Sequence, residues 1–192
     1  LEGARKRYDY ETRCPSPEHD SLMREEILKA KKEGDSLGGK VRIMTGRLPV
    51  GLGQPVFSSL DSELSKSYFS IPAVKGVEIG AGFNASKLRG SQNNDPYVIK
   101  NGEITTLTNN AGGILGGMTN GQPLIATIAF KPVSSIYRPQ RTVNVKEMKE
   151  GTLQLKGLHD ACVVPRAVPI AEALTDFVLA DTALRGGFIS ER

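Results

Sequence analysis

The chain has 192 residues, 39% hydrophobic and 24% charged, with a formal net charge of +4 and a pI near 9.1. That length can bury a full core as one domain or the larger part of one, and the ordinary apolar content excludes wholesale disorder. The basic residues make no dense block beyond residues 5–7 and 29–32 and tryptophan is absent, so small anionic substrates suit the charge better than a nucleic-acid surface.

Two cysteines, Cys14 and Cys162, are too few for a disulfide framework, and no C-x-x-C pair or Cys/His cluster offers a metal site. This argues for a reducing compartment. No apolar run reaches transmembrane length and the first residues do not resemble a signal sequence, so no membrane attachment is expected. Leu1 in place of methionine reads as a processed or excised chain, or as part of a longer one.

Residues 1–15 are charged and end at Arg13-Cys14-Pro15, an exposed lead-in. Ser16 then offers an N-cap and Pro17 the first helical position; Glu18 and Asp20 follow in the first turn, lysines crowd the last, and Gly34 gives the stop. Leu22, Met23, Ile27, Leu28 and Ala30 supply the apolar stripe, with His19 on the surface. Gly38 and Gly39 turn the chain into KVRIMTGR, where Val41, Ile43 and Thr45 alternate as in a half-buried strand. Beyond the Pro/Gly-rich loop LPVGLGQPVF, Ser58 opens a capping box with Asp61, and Leu60, Leu64, Tyr68 and Phe69 carry helical spacing to Ser70. Pro72 breaks that helix, and AVKGVEIGAGF reads as a strand through Val74, Val77 and Ile79. Residues 84–103 are polar and turn-rich, a flap or a disordered connection, in which Lys87 and Arg89 either close over an anion or stay solvated.

The segment NNAGGILGGMTNGQPLIATIAFK, residues 109–131, places Gly112, Gly113, Gly116, Gly117 and Gly121 within 13 positions (109–121). Glycine permits positive φ and close approach, so such a loop either cradles a ligand with its N–H groups or packs against another backbone. A phosphate-binding loop is not indicated, because Met118 stands where its lysine is needed; no G-x-G-x-x-G occurs either. PLIATIAF reads as a buried strand ending at Lys131, and Pro132 stops it. Lys131, Ser134 and Ser135 at one strand end suit an anionic ligand, or a plain polar exit from the strand.

A short strand follows at residues 142–145, then GTLQLKG alternates and leads to Leu158-His159-Asp160. The last helix begins near Pro165 or Pro169, with Ile170, Ala173, Leu174, Phe177, Val178, Ala180 and Leu184 on a broad apolar face.

Four strings in this order, SIPAVKGVEIGAGF, LRGSQNND, NNAGGILGGMTNGQPLIATIAFKPVSS and KGLHDACVVPRAVPIAEAL, resemble the C-terminal half of the chorismate synthases across about residues 13–185. The resemblance implies an α+β fold of antiparallel sheets packed against helices in a sandwich, with residues 1–192 forming the C-terminal portion of that domain. It implies a carbon–oxygen lyase of the shikimate pathway and aromatic amino-acid biosynthesis, which eliminates phosphate from 5-enolpyruvylshikimate-3-phosphate in an anti-1,4 sense to give chorismate. Reduced FMN is required without net redox change, and some members make it themselves with NADPH while others rely on a reductase. A cytoplasmic homotetramer is implied, or a plastid one in a plant or alga.

The flavin contacts implied by the resemblance are Pro72, Ala73, Gly116, Lys131, Pro132, Val133, Ser134 and Ser135, and Asp160 matches the aspartate that relays the substrate proton. Taken alone, Asp160 reads more often as a cap or turn residue, and His159 fits the motif or is simply packed. Two departures stand out. Leu158 and Ala161 replace the arginine and proline of the family's R-H-D-P-C motif, and leucine cannot supply an arginine's bidentate contacts. The histidine motif and arginine clamp of the family's N-terminal half have no counterpart here, so the chain alone is expected to be inactive. A non-catalytic flavin-binding or assembly module of the same descent is the alternative.

Overall fold

In a computed structural model of the chain, residues 3–157 and 159–190 are described. The elements run α1 (Pro17–Lys32), β1 (Gly39–Arg47), α2 (Leu60–Phe69), β2 (Val74–Ile79), α3 (Gly90–Asn93), β3 (Tyr97–Lys100), β4 (Glu103–Thr106), β5 (Ile114–Leu115), β6 (Met118–Thr119), β7 (Pro123–Phe130), β8 (Gln140–Asn144), β9 (Lys149–Leu153) and α4 (Val164–Arg185). The class is α+β, as expected. β1, β7 and β2 form one sheet in that order, and β3–β4, β5–β6 and β8–β9 are antiparallel pairs. Two compact units divide the chain: residues 40–129 with 167–190, and residues 3–39 with 130–166.

The first unit is built on β7. A central strand is covered on both faces, which is why PLIATIAF is nearly all apolar; Leu124, Ala126 and Ile128 are wholly buried. β1 alternates as its sequence predicts, with Val41 and Ile43 buried. Leu60, Leu64 and Tyr68 line one face of α2 and are fully buried, each aliphatic side chain contributing about 1.5–3 kcal/mol. The cap differs from expectation. Ser59, not Ser58, precedes the helix, and its hydroxyl donates to Ser62 Oγ at 2.8 Å in place of the capping box.

The Tyr68 hydroxyl lies 2.7 Å from Thr175 Oγ1, which itself donates to the Ala171 carbonyl at 2.7 Å, so Tyr68 is the donor of the pair. Burial pushes the Tyr68 phenol up to about 12. Thr175→Val strands that donor, and a loss of about 1–3 kcal/mol in unfolding free energy is expected from urea titration. A loss below about 0.5 kcal/mol would show that the phenol finds another acceptor.

The face of α4 is a correction. Ala167, Val168, Ala171, Thr175 and Val178 are buried, while Ile170 and Phe177 are 48% and 70% exposed; of the residues expected inside, Val178 alone is buried. Apolar side chains surround this helix, so periodicity gave no direction. It starts beside Pro165 and carries Pro169 internally. Residues 84–103 are not an unstructured connection: they hold the end of a 3-10 turn, α3 and β3.

In the second unit α1 has the expected bounds, and Ser16 Oγ accepts from the His19 amide at 3.4 Å. Its predicted stripe is largely exposed, with Leu22 at 53% and Leu28 at 54%, and Ala30 is its buried residue. The lead-in is partly helical, a 3-10 turn over Gly3–Asp9. Asp20 fastens it by accepting from the Thr12 hydroxyl at 2.6 Å and the Thr12 amide at 3.0 Å, bonds that hold its carboxyl below 3.8. Strands β8 and β9 form a ribbon that is exposed on both faces, so the alternation of GTLQLKG does not mark a buried side.

Candidate functional site

The candidate residues fall into both units. In the second unit, Lys131, Pro132, Val133, Ser134 and Ser135 follow β7, and Asp160 precedes α4. Residues 34–38 form a strap that holds both segments. On one side, Ser36 Oγ donates to the Val133 carbonyl at 2.6 Å, the Tyr137 amide donates to Gly34 at 2.9 Å, and Asp35 pairs with Arg138 at 2.8 Å. Gly38 does not turn the chain. It is glycine because a Cβ there would sit 2.5 Å from the Phe130 carbonyl and 3.0 Å from Pro132. On the other side of the strap, the Leu37 amide donates to Ala161 at 2.7 Å, and Leu37 bridges Cys162 in parallel.

Tyr137 ties the two segments directly, donating from its hydroxyl to the Gly157 carbonyl and accepting from the His159 amide at 3.3 Å. The His159 ring packs against Tyr137 with centroids 5.6 Å apart, and its Nε2 is buried with no partner among the described residues. Lys131 and Ser134 are exposed, and Lys131 makes no ion pair among the described residues. Asp160 is not in a dry pocket: its Oδ2 pairs with Arg166 at 2.7 Å and its side chain is 40% exposed. Burial first, then the Asp160 charge, raises the Cys162 thiol above 9.0, with the Val164 amide opposing. Leu158 lies outside the described residues.

In the first unit, Gly116 and Gly117 both take positive φ at the tip of the β5–β6 hairpin, as a two-residue turn requires. They differ in what surrounds them. A Cβ on Gly117 would lie 2.7 Å from Ser59 Cβ, whereas one on Gly116 would meet nothing within 4 Å. Gly116 therefore offers an open backbone surface to a ligand. Ala73 carries φ +72 in the turn after α2, a position that costs an L-residue about 1–2 kcal/mol. Strain of this kind is retained where the surroundings impose it, often at a site.

The structure does not bring Pro72 and Ala73 beside the hairpin tip. The Leu60 amide at the start of α2 donates to Gly117 at 2.8 Å, and Pro72 and Ala73 follow the other end of that ten-residue helix, about 15 Å away at 1.5 Å per residue.

The root of the glycine loop is closed. The Asn110 and Ala111 amides donate to Asp95, the Gly112 amide to the Asn109 carbonyl, and the Gly113 amide to Asn109 Oδ1. Of the two expectations for this loop, backbone packing holds at the root, since a Cβ on Gly80 would lie 2.0 Å from the Asn110 carbonyl. Asp95 is the residue that sequence reasoning passed over. In N-D-P it reads as a turn residue, and its partners lie 13–16 positions onward. Burial raises the Asp95 carboxyl, but bonds from Thr108, Ala111 and Asn110 outweigh it and hold the group below 3.8.

A cleft of about 450 Å³ adjoins the hairpin, lined by Arg47, Tyr97, Ile104, Leu115, Met118 and Asn120 among others. Arg47 crosses it to Glu103 at 3.1 Å and to the Gly121 and Ile104 carbonyls. Among the described residues no group of three His, Cys, Asp or Glu side chains could hold a metal ion, and no helix is long and apolar enough to cross a membrane.

The family profile described as chorismate synthase matches residues 3–184. A protein named chorismate synthase from Thermococcus gammatolerans is 51% identical over 172 residues, covering 90% of this chain and 48% of its own length. One of the same name from Dehalococcoides mccartyi is 54% identical over 176 residues, covering 92% and 48%. A solved structure titled "Crystal Structure of Chorismate Synthase" is similar with a TM-score of 0.78 at 32% identity, over 97% of this chain and 49% of that one. The chain thus spans about half the length of the relatives it matches.

Proposed function

Because the chain belongs to the chorismate synthase family, we propose that it is the C-terminal portion of a lyase that eliminates phosphate from 5-enolpyruvylshikimate-3-phosphate with reduced FMN to give chorismate. The observation that supports this best is the strap at residues 34–38, which holds the Lys131 segment and the Asp160 segment side by side. Two of the residues also suit a flavin. Gly116 leaves open space where a side chain would stand, and Lys131 is a cation with no counter-charge of its own among the described residues.

Reduced flavin, when bound, supplies electron density to the reacting carbon framework with no net redox change. Lys131 offsets phosphate charge on cofactor or substrate, and the Ser134 and Ser135 hydroxyls are within the same segment to donate to those oxygens. Exposed Pro72 and half-buried, strained Ala73 present a turn for a further contact. At Asp160, Oδ2 is taken by Arg166, and Oδ1, with no partner among the described residues, is the oxygen to receive the proton that leaves the substrate. NADPH as the source of reducing equivalents, a homotetramer and a cytoplasmic setting belong to the same proposal; light scattering tests the tetramer.

The test is phosphate release from the substrate with reduced FMN under anaerobic conditions. The chain alone is expected to give none above background, and the chain joined to the N-terminal portion of the T. gammatolerans relative is expected to turn over. Turnover by the chain alone at the rate of the joined protein would overturn the division of labour proposed. Leu158 favours a second reading, a flavin-binding module without chemistry. Equal turnover of the joined protein with Leu158 or with Leu158→Arg would remove its motive.

A further inference from the structure

Asp95 follows α3 and spends its whole carboxylate on one short stretch of chain. Its Oδ1 accepts from the Thr108 hydroxyl at 2.6 Å and the Asn110 amide at 2.7 Å, and its Oδ2 accepts from the Ala111 amide at 2.9 Å. Two consecutive backbone N–H groups converging on a carboxylate form the kind of concavity that elsewhere binds free anions. Here the anion is part of the chain. Neighbouring amides extend the grip: Asn110 Nδ2 donates to the Asn93 carbonyl at 3.1 Å, and Asn109 joins Gly113 at 2.9 Å to the Pro123 carbonyl at 2.8 Å. These bonds fix residues 108–113, the stem from which β5 departs toward Gly116.

We infer that Asp95 is a positioning residue of the flavin wall, whose ionised carboxylate fixes the stem of the glycine hairpin and so, together with the contact of its tip to α2, the presentation of Gly116. The inference rests on the flavin-binding reading above. A hairpin of two residues per strand has little stability of its own, so its orientation depends on what holds it: the stem at residues 108–113, and at the tip the Leu60 amide, which donates to Gly117 at 2.8 Å. Charge-assisted bonds to ionised acceptors are shorter and stronger than neutral ones, and three of them act on residues 108–111.

Asp95→Asn is the informative change. The side chain keeps its shape, but one oxygen becomes an NH2 donor, which must face either the Ala111 amide or the Thr108 and Asn110 donors. Three readings are taken on the 192-residue chain: exchange of the Asn110 and Ala111 amides by NMR, FMN affinity by fluorescence titration, and the urea midpoint. Thr175→Val serves as a control, since it destabilises the same unit without touching the stem. For Asp95→Asn, amide exchange is expected to accelerate at least tenfold and the FMN Kd to rise at least tenfold, while Thr175→Val leaves the Kd within twofold.

An Asp95→Asn Kd within twofold of the parent would overturn the inference, as would unchanged exchange at Asn110 and Ala111, or an equal loss of affinity in Thr175→Val. Should Asp95→Asn fail to fold, Asp95→Glu keeps the carboxylate and carries the same readings, with a smaller rise in Kd and partial amide protection expected. A parent chain that shows no saturable FMN binding would instead refute the flavin reading itself, and the role of Asp95 toward flavin with it, and the exchange data would then report only the grip on the stem.

Discussion

Gly80→Ala is expected to dislodge the glycine loop at a cost of about 2–5 kcal/mol, the sum of left-handed strain and overpacking. A Cβ there would lie 2.0 Å from the Asn110 carbonyl oxygen, 2.5 Å from the Gly112 nitrogen and 2.8 Å from the Ala111 carbonyl carbon. All three atoms are backbone, and none can swing aside as a side chain would. Gly116→Ala is the matched comparison: φ is +59 against +58 at Gly80, but the added methyl meets nothing. It should cost only the strain, about 1–2 kcal/mol. Urea unfolding of both variants measures the difference. Indistinguishable midpoints would mean that residues 110–112 yield to the methyl, and that the stem is softer than its bonding indicates.

The second large effect concerns Asp160. In the chain joined to the N-terminal portion of a relative, Asp160→Asn should lower kcat by about 10²–10⁴-fold, the usual range for losing a positioned proton acceptor. FMN affinity should stay within a few fold. Arg166→Ala separates this from a structural effect, because the Asp160–Arg166 pair is exposed, 40% and 75% for the two side chains, and contributes little to stability. If Arg166→Ala and Asp160→Asn both leave kcat within threefold, the carboxylate is no more than one member of a surface ion pair.

Local signals carried much of this fold. The Ser16–Pro17 start and Gly34 stop of α1, the alternation of β1 and the dense apolar run of β7 all act over a few residues, and each element forms where its pattern lies. The face of α4 was not legible, because apolar side chains surround the helix and the choice of buried stripe is made by α2, whose Tyr68 meets Thr175 across 107 positions. Gly38 looked like a turn and is instead a close approach to the Phe130–Pro132 backbone, a distinction that composition does not encode.

The site was read in the same uneven way. The glycine loop and Lys131 stood out because glycine density and a cation at a strand end are visible in a string of letters, and the family resemblance picked Gly116 out of the loop's five glycines. Asp95 and the strap at residues 34–38 act through backbone amides and carbonyls far along the chain, and nothing in their side-chain types announces those partners.

The sheet order β1-β7-β2 has a consequence for the order of assembly. The central strand is the last of the three to leave the ribosome, so β1 and β2 emerge with no neighbour between them and must wait through more than 40 further residues. Long-range pairing of this kind slows folding, and unpaired strand edges invite association with other chains. A fragment ending at Gln122 should therefore aggregate, and one extended through β7 should gain a cooperative transition. Equal solubility of the two fragments would show that β1 and β2 are protected by other means while the nascent chain is incomplete.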